Sequence, residues 1–257
     1  KELAAHYPSS TYYAYQEQAS PGVFDRLRNY LLARYYKPTL LSRLITVLIP
    51  NVPAIPSWVK DGKVLDVGCG TGDTLASLQS LGWEVYGLDI DAGAVRTARN
   101  RGLTNVSQGY WQDIARFPDG FFDAVRLYLV IEHLDNPRRV VSIIRKKLKP
   151  KGELILGTAN TESVTARLFG TYWYHLDAPR HLYLFTPNNL SDLLVKEGFV
   201  DQRVMFCSAG GIVGSLQYLF RMELLSRAWL IMLIYPIEWM LDKLRSGDIF
   251  VISARKG

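Results

Sequence analysis

The chain has 257 residues, a net charge of +6, 48% hydrophobic residues and 21% charged ones. That balance excludes wholesale disorder and allows one large domain or one domain with an elaborate insertion. The positive surplus suits anionic partners, but no compact Lys/Arg run interleaved with aromatics appears, so no nucleic-acid partner is expected.

Residues 1–60 read as a separate unit, an N-terminal helical cap. Tyr7 to Gln18 is aromatic and polar, with no apolar signal-peptide core. Leu27, Leu31, Leu32, Tyr35 and Leu41 recur at roughly helical spacing among Arg26, Arg28, Arg34 and Arg43. Lys37-Pro38 interrupts the stripe, and Pro50, Pro53 and Pro56 make a stiff connector.

Residues 61–257 carry the main domain, in which strands alternate with helices. Strands are predicted at Val64–Val67, Glu84–Leu88, Val106–Gly109, Phe122–Leu127, Glu153–Thr158, Phe199–Phe206 and Asp248–Ser253. Helices are predicted at Thr74–Leu81, Ala92–Arg101, Arg138–Leu148 and Pro187–Glu197, with Lys149-Pro150-Lys151-Gly152 as a turn. The alternation implies parallel pairing with right-handed crossovers, hence an α/β, Rossmann-like, doubly wound seven-stranded sheet. Residues 160–186 form a long connection rich in Tyr, Trp and His, expected to be a substrate lid. Residues 208–247 are an apolar helical insertion between the last two strands. Its stretch from Ala228 to Leu241 contains Pro236 and Glu238 and is too short to span a bilayer. Flanking Arg221, Arg227, Lys243 and Arg245 suit an interfacial segment, while a helical cover or a subunit interface competes with that reading.

The strongest chemical signal is Val64-Leu65-Asp66-Val67-Gly68-Cys69-Gly70-Thr71-Gly72. Alternate glycines after a strand let backbone approach a ligand closely, near a helix N-terminus. A dinucleotide fingerprint would want glycine at position 73, which is Asp73, so the spacing suits a nucleoside with an amino-acid tail better. Asp89 ends the second strand, about 20 residues on, where a carboxylate can accept both ribose hydroxyls; capping the next helix is the competing role. Asp113 could accept from an adenine amino group while Ile114 packs on the ring.

These segments, VLDVGCGTG, GLDID, FDAVRLYLVIEHLDNP and LKPKGELILGTAN, resemble the class I S-adenosylmethionine-dependent methyltransferases. The resemblance implies that Asp66, Gly68, Cys69 and Gly70 surround the methionine moiety of S-adenosylmethionine and that Asp89 and Ile90 hold the ribose side. It further implies that Asp113 and Ile114 read the adenine and that Tyr128 and Leu129 lie beside the cofactor. Tyr13 and Gln16 are expected to close over the cofactor's amino-acid end, with a solvent-facing aromatic cluster as the competing reading. LFGTYW and DAPRHLYLFTP resemble a branch associated with cell-surface polysaccharide and lipid-linked glycan pathways.

Methyl transfer to a hydroxyl asks for a base, and histidine suits neutral pH. The chain has four histidines, of which His133, His181 and His175 are the candidates. A hydrogen bond at a helix start for His133 and a structural contact for His181 compete with catalysis. Arg180 is expected to grip an anionic group of the substrate, against a plain ion pair with Asp177, and Tyr172 and Trp173 to line the substrate site. Quinone-pathway O-methyltransferases share Glu132-His133, but their metal pattern wants an acidic residue where this chain has Leu129, so no metal is expected. Cys69 and Cys207 sit in no CxxC or Cys/His cluster, which fits a reducing, cytoplasmic setting.

The expected function is O-methylation of a small-molecule or lipid-linked glycan acceptor, with peripheral contact at the inner membrane face and an open oligomeric state. A nicotinamide-dependent dehydrogenase is disfavoured by Asp73 and by the lack of a Ser/Tyr-x-x-x-Lys set. A noncatalytic, membrane-associated binder of S-adenosylmethionine is the remaining alternative.

Overall fold

The computed structural model describes residues 54–208, 210–224 and 228–257. The cap predicted over residues 1–60, with Tyr13 and Gln16, therefore lies almost wholly outside the described residues.

Apolar runs of β-branched and leucine residues form seven strands, β1 (Lys63–Val67), β2 (Glu84–Asp89), β3 (Val106–Gln108), β4 (Phe122–Tyr128), β5 (Leu148–Ala159), β6 (Phe199–Cys207) and β7 (Ile249–Lys256). They make one sheet in the order β3-β2-β1-β4-β5-β7-β6. The first five pair parallel and β7 runs antiparallel to both neighbours. The expected fold class is thus the observed one. β5 starts earlier than predicted, because the Lys149-Pro150-Lys151-Gly152 stretch is absorbed into it; Lys151 takes φ 60° and the β4 register slips between Phe122 and Ala124.

Helices numbered from the first described one are α1 (Asp73–Ser80), α2 (Ala92–Asn100), α3 (Pro137–Lys147), α4 (Val164–Phe169), α5 (Pro187–Lys196), α6 (Gly211–Phe220) and α7 (Ala228–Lys243). Start signals are chemical: Asp91, Asn136, Ser163 and Thr186 each accept a backbone N–H at a helix start. Strand side chains alternate between faces, so Leu65, Val125, Leu127, Leu154 and Ile252 pack under Val140, Ile144, Leu190 and Leu194 of α3 and α5. On the other face Val64, Val85 and Ala124 meet Leu75, Leu78, Val95 and Ala98 of α1 and α2. The topological switch lies between β1 and β4, which leaves a crevice at their carboxyl ends.

Candidate functional site

At the end of β1, Gly68, Gly70 and Gly72 have φ of 76°, 53° and 82°. L side chains rarely adopt that region, so the turn requires its alternate glycines. A Cβ on Gly68 would also lie 2.3 Å from Val130 Cγ2, and one on Gly72 2.3 Å from Leu103 Cδ1. Packing of the turn on its own protein thus joins ligand approach as a reason for glycine. Gly68 is exposed and Gly70 half-buried, which leaves their backbone open to a ligand. The Cys69 side chain instead faces the α1–α2 core, so this residue offers a ligand backbone only.

Asp89 ties the turn to β2. Its Oδ2 accepts from Gly70 N–H at 2.7 Å and its Oδ1 from Asp91 N–H at 2.9 Å. The helix-cap role belongs to Asp91, which accepts from Ala94 N–H, so Asp89 is not spent on it. Among the described residues no lysine or arginine pairs with Asp89, and burial raises its pKa while the two N–H bonds oppose that. Each oxygen keeps a further lone pair. A buried carboxylate with spare acceptors and no cation fits a pair of sugar hydroxyls. Exposed apolar surface beside it comes from Ile90 and Tyr110.

Asp66 sits deeper, 1% exposed, with both carboxylate oxygens 2.8 Å from Arg126 Nη1. Arg126 Nε donates to Ala54 O at 2.8 Å, and its guanidinium lies 5.0 Å from the Tyr128 ring centre. The floor of the turn is therefore a buried ion pair. Burial raises the Asp66 pKa and Arg126 pulls it down. Spacing gave no hint of Arg126, which reaches Asp66 only because β1 and β4 pair in register.

One adenine assignment needs correction, and the other residue gains a capping role. Asp113 accepts from Tyr110 N–H at 2.7 Å and pairs with Arg116, closing a capping box on the short helix Trp111–Arg116. Ile114 is fully buried in the main core, so it offers no face to a ring. A capping carboxylate and a ligand-reading one look alike in a loop sequence.

Beyond β4 the chain turns sharply: Leu129 holds φ 56°, a costly conformation for a leucine, and its N–H donates to Gly157 O at 2.8 Å. Tyr128 turns to the other face, its ring over Gly157, while Leu129 faces a cavity of about 280 Å³. His133, His175, Asp177, Arg180 and His181 line that cavity, closed by Tyr174 and, from α6, Gln217 and Tyr218. The 160–186 connection thus supplies most of the wall. Its backbone is zipped to the 131–133 turn, since Leu182 and Tyr183 N–H both donate to Glu132 O, at 2.8 and 3.2 Å.

The three candidate histidines do converge here. His133 Nδ1 lies 3.1 Å from Arg180 O, and His181 Nδ1 lies 2.9 Å from His175 O. A carbonyl can only accept, so each Nδ1 carries the proton and each Nε2 the lone pair. The two rings meet edge to face, 4.6 Å between centres. Burial lowers the His133 pKa and pushes His175 and His181 down to about 4, so all three are neutral at pH 7. Arg180 donates to Asp177 through Nε at 3.0 Å, with Asp177 Oδ2 also 3.7 Å from His181 Nε2; the plain ion pair exists within the cavity wall.

Tyr172 and Trp173 require a second correction. Tyr172 is solvent-exposed away from the cavity lining, and Trp173, 3% exposed, donates Nε1 to Asp248 Oδ1 at 3.1 Å. The short helical turns at 170–172 and 174–176 rotate the chain so that Tyr174 and His175 face inward instead. Asp248 also receives the hydroxyls of Ser163 and Thr165, anchoring the start of the 160–186 connection beside β7.

Glu132, missed as a site residue, is 1% exposed, its carboxyl beside the Thr158 hydroxyl. Burial raises its pKa to about 8, which keeps it largely protonated at neutral pH. One oxygen of Glu132 and one nitrogen each of His133 and His181 lie within 4.8 Å of one another. The expectation of no metal rested on Leu129 alone; the fold brings His181 into the neighbourhood and assembles three donors that spacing did not show.

A family model described as a methyltransferase domain matches residues 32–204. The ubiquinone biosynthesis O-methyltransferase of Xanthomonas oryzae pv. oryzae (strain PXO99A) is 36% identical over 103 residues, 38% of this chain and 43% of that protein. The enzyme of the same name from Erwinia tasmaniensis is 37% identical over 107 residues, 39% of this chain and 44% of that protein. The chain spans less than half the length of these curated relatives. Among solved structures, an S-adenosylmethionine-dependent methyltransferase from Archaeoglobus fulgidus superposes with a TM-score of 0.55 at 20% identity, covering 88% of this chain and 99% of that one. Phosphoethanolamine N-methyltransferase 2 of Haemonchus contortus, in complex with S-adenosyl-L-methionine, gives 0.58 at 17% identity, covering 98% of this chain and 58% of that one. With the family model spanning well over half of its residues and the strand order of that fold, this chain belongs to the methyltransferase-domain family.

Proposed function

We propose that this methyltransferase moves a methyl group from S-adenosylmethionine to a hydroxyl on the head group of a small, lipid-linked acceptor such as a sugar or glycan intermediate. S-adenosylmethionine is the cofactor that fits: Asp89 offers spare acceptors to a ribose, and with the Gly68 and Gly70 N–H groups donated to Leu88 O and Asp89, the carbonyls of the turn are left to accept from the ammonium of an amino-acid tail. Bound there, the sulfonium supplies an activated methyl group. What remains for the chain is positioning, exclusion of water and removal of one proton.

The observation that carries the hydroxyl reading is the pair His133 and His181. Both line the cavity, both have Nδ1 bonded to a backbone carbonyl, and burial keeps both neutral. One Nε2 would accept the acceptor's hydroxyl proton when the methyl group passes from sulfur to oxygen, its carbon–sulfur bond breaking as the carbon–oxygen bond forms, and the edge-to-face neighbour would share the wall that orients the acceptor. The curated relatives bear O-methyltransferase names, which supports oxygen over nitrogen. Tyr174 and Tyr218 give flat apolar walls beside Asp177 and Arg180, a mixture suited to a sugar or phenolic head.

The test is methyl transfer from labelled S-adenosylmethionine to a panel of lipid-linked sugars and polyprenylated phenols. Removal of the base should cost about 10²–10⁴ in turnover. His133→Ala or His181→Ala should therefore abolish most transfer while leaving donor affinity unchanged. Full activity in both variants would overturn the proton-transfer reading, and transfer only to amines would overturn the hydroxyl.

A further inference from the structure

The helix α7 is apolar on both sides, with Leu230, Ile231, Ile234 and Leu241 partly buried on its inward side. At about 100° per residue, Trp229, Met232, Leu233, Ile237, Met240 and Leu244 fall within about 140° of one face. That face is turned to solvent, with Trp229 61%, Met232 71%, Leu233 65% and Leu244 64% exposed. The carboxylates sit on the opposite side and point into the protein. Glu238, 3% exposed, accepts from Gly210 and Ile212 N–H at 3.2 Å each, and Asp242 accepts from Ser208 N–H and Oγ–H at 3.1 and 2.8 Å. A helix that only covered a sheet would turn a polar face outward.

Its neighbour continues the surface. α6 packs against α7 and ends in exposed Tyr218, Leu219 and Phe220, followed by exposed Met222. Arg221, Lys243 and Arg245 are exposed around this patch against one exposed acid, Glu223. Exposed apolar surface rimmed by cations suits an anionic lipid surface. Among the described residues no helix is long and apolar enough to cross a membrane, so α7 would lie in the interface plane.

We propose that the α6–α7 pair is a docking surface for an anionic bilayer, into which the α7 stripe inserts while Lys243, Arg245 and Arg221 meet lipid phosphates. Tyr218 belongs both to the exposed end of α6 and to the acceptor cavity, so docking brings the cavity mouth to the membrane plane. That delivery role rests on the lipid-linked acceptor proposed above; the docking itself does not.

The full chain is sedimented with phosphatidylcholine vesicles, with and without phosphatidylglycerol, and Trp fluorescence is followed. Binding should appear with the anionic vesicles, weaken in high salt and blue-shift the emission. Lys243→Gln and Arg245→Gln should each weaken binding about fivefold. Met232→Gln/Leu233→Gln, at exposed positions, should weaken it by at least about tenfold with unchanged Tm. Folded protein that ignores both vesicles, or a double variant that binds as wild type, would overturn the proposal. So would a concentration-dependent dimer that the double variant dissolves while vesicles have no effect, which would assign the face to a second copy. Because vesicle binding needs neither donor nor acceptor, its failure is separable from a failure of methyl transfer.

Discussion

Arg126→Met tests how much of the site rests on the ion pair beneath it. The change removes Nη1 from both Asp66 oxygens and Nε from Ala54 O, leaving a carboxylate that is 1% exposed without a cation. Breaking a buried pair from one side costs about 3–5 kcal/mol. At about 2–4 °C per kcal/mol for a chain of this size, Tm should fall by about 6–20 °C. Protonation offers Asp66 an escape. Burial already raises its pKa against the pull of Arg126, and without Arg126 the native value climbs further. An acid with a raised native pKa contributes fully below its unfolded pKa and loses that contribution as pH rises through the native one. The deficit should therefore narrow toward about pH 5 and widen toward about pH 8. Arg126→Met/Asp66→Leu should recover most of the loss, because an apolar pair replaces the orphaned charge. Calorimetric unfolding of the three variants across pH is the assay. A single-variant loss under about 1 kcal/mol, or a pH-independent one, would refute the reasoning.

Asp89→Ala should weaken S-adenosylmethionine binding about 10–100-fold in calorimetric titration, since hydrogen bonds to a charged group are worth about 1.5–3 kcal/mol; equal affinity would remove the ribose role. Asp248 is pushed by burial from 3.8 to about 7, so its contribution to stability is lost as pH rises between those values. That interval corresponds to about 4 kcal/mol before relaxation, and Asp248→Asn should flatten wild-type chemical denaturation midpoints across it; parallel pH curves would argue against the assignment. Gly157→Ala places a Cβ 2.4 Å from Tyr128 Cδ2 and should cost about 1–3 kcal/mol by urea unfolding. Tyr128→Leu should rescue it, and a loss that persists would show that the strand, not the ring, resists the methyl group.

Local chemistry was legible in the sequence, and direction was not. The glycine turn can be read because left-handed backbone is written in glycine, and Asp89 because strand and helix lengths set its distance from that turn. The strands followed from apolar runs, down to a residue or two at most ends, with β5 misjudged because a proline-glycine stretch was absorbed into a strand. Ile114, Tyr172 and Trp173 face elsewhere than expected because a sequence does not say which way a loop side chain turns. Arg126 and Asp66 are 60 residues apart, and only the β1–β4 register makes them neighbours. The apolar stretch that forms α7 was visible, but which side of that helix faced inward depended on where Gly210, Ile212 and Ser208 presented their N–H groups.

The two halves of the site are held by different means. On the donor side, glycine conformations, the Asp89 bonds and the Asp66–Arg126 pair all belong to the first sheet strands and their turns, where a change costs fold stability as well as binding. On the acceptor side, the walls come from the 129–133 turn, the lid and α6, joined by a few hydrogen bonds across long sequence separations. The histidines depend on that joining. His133 takes its tautomer from Arg180 O and His181 from His175 O, so the lid that shapes the cavity also prepares the bases. A lid displaced from Glu132 O would lose the cavity and the tautomers together, leaving donor binding intact. Under the proposed function, acceptor choice and proton transfer are therefore linked in this fold, and Val130, against which Gly68 packs, joins the acceptor wall to the donor turn.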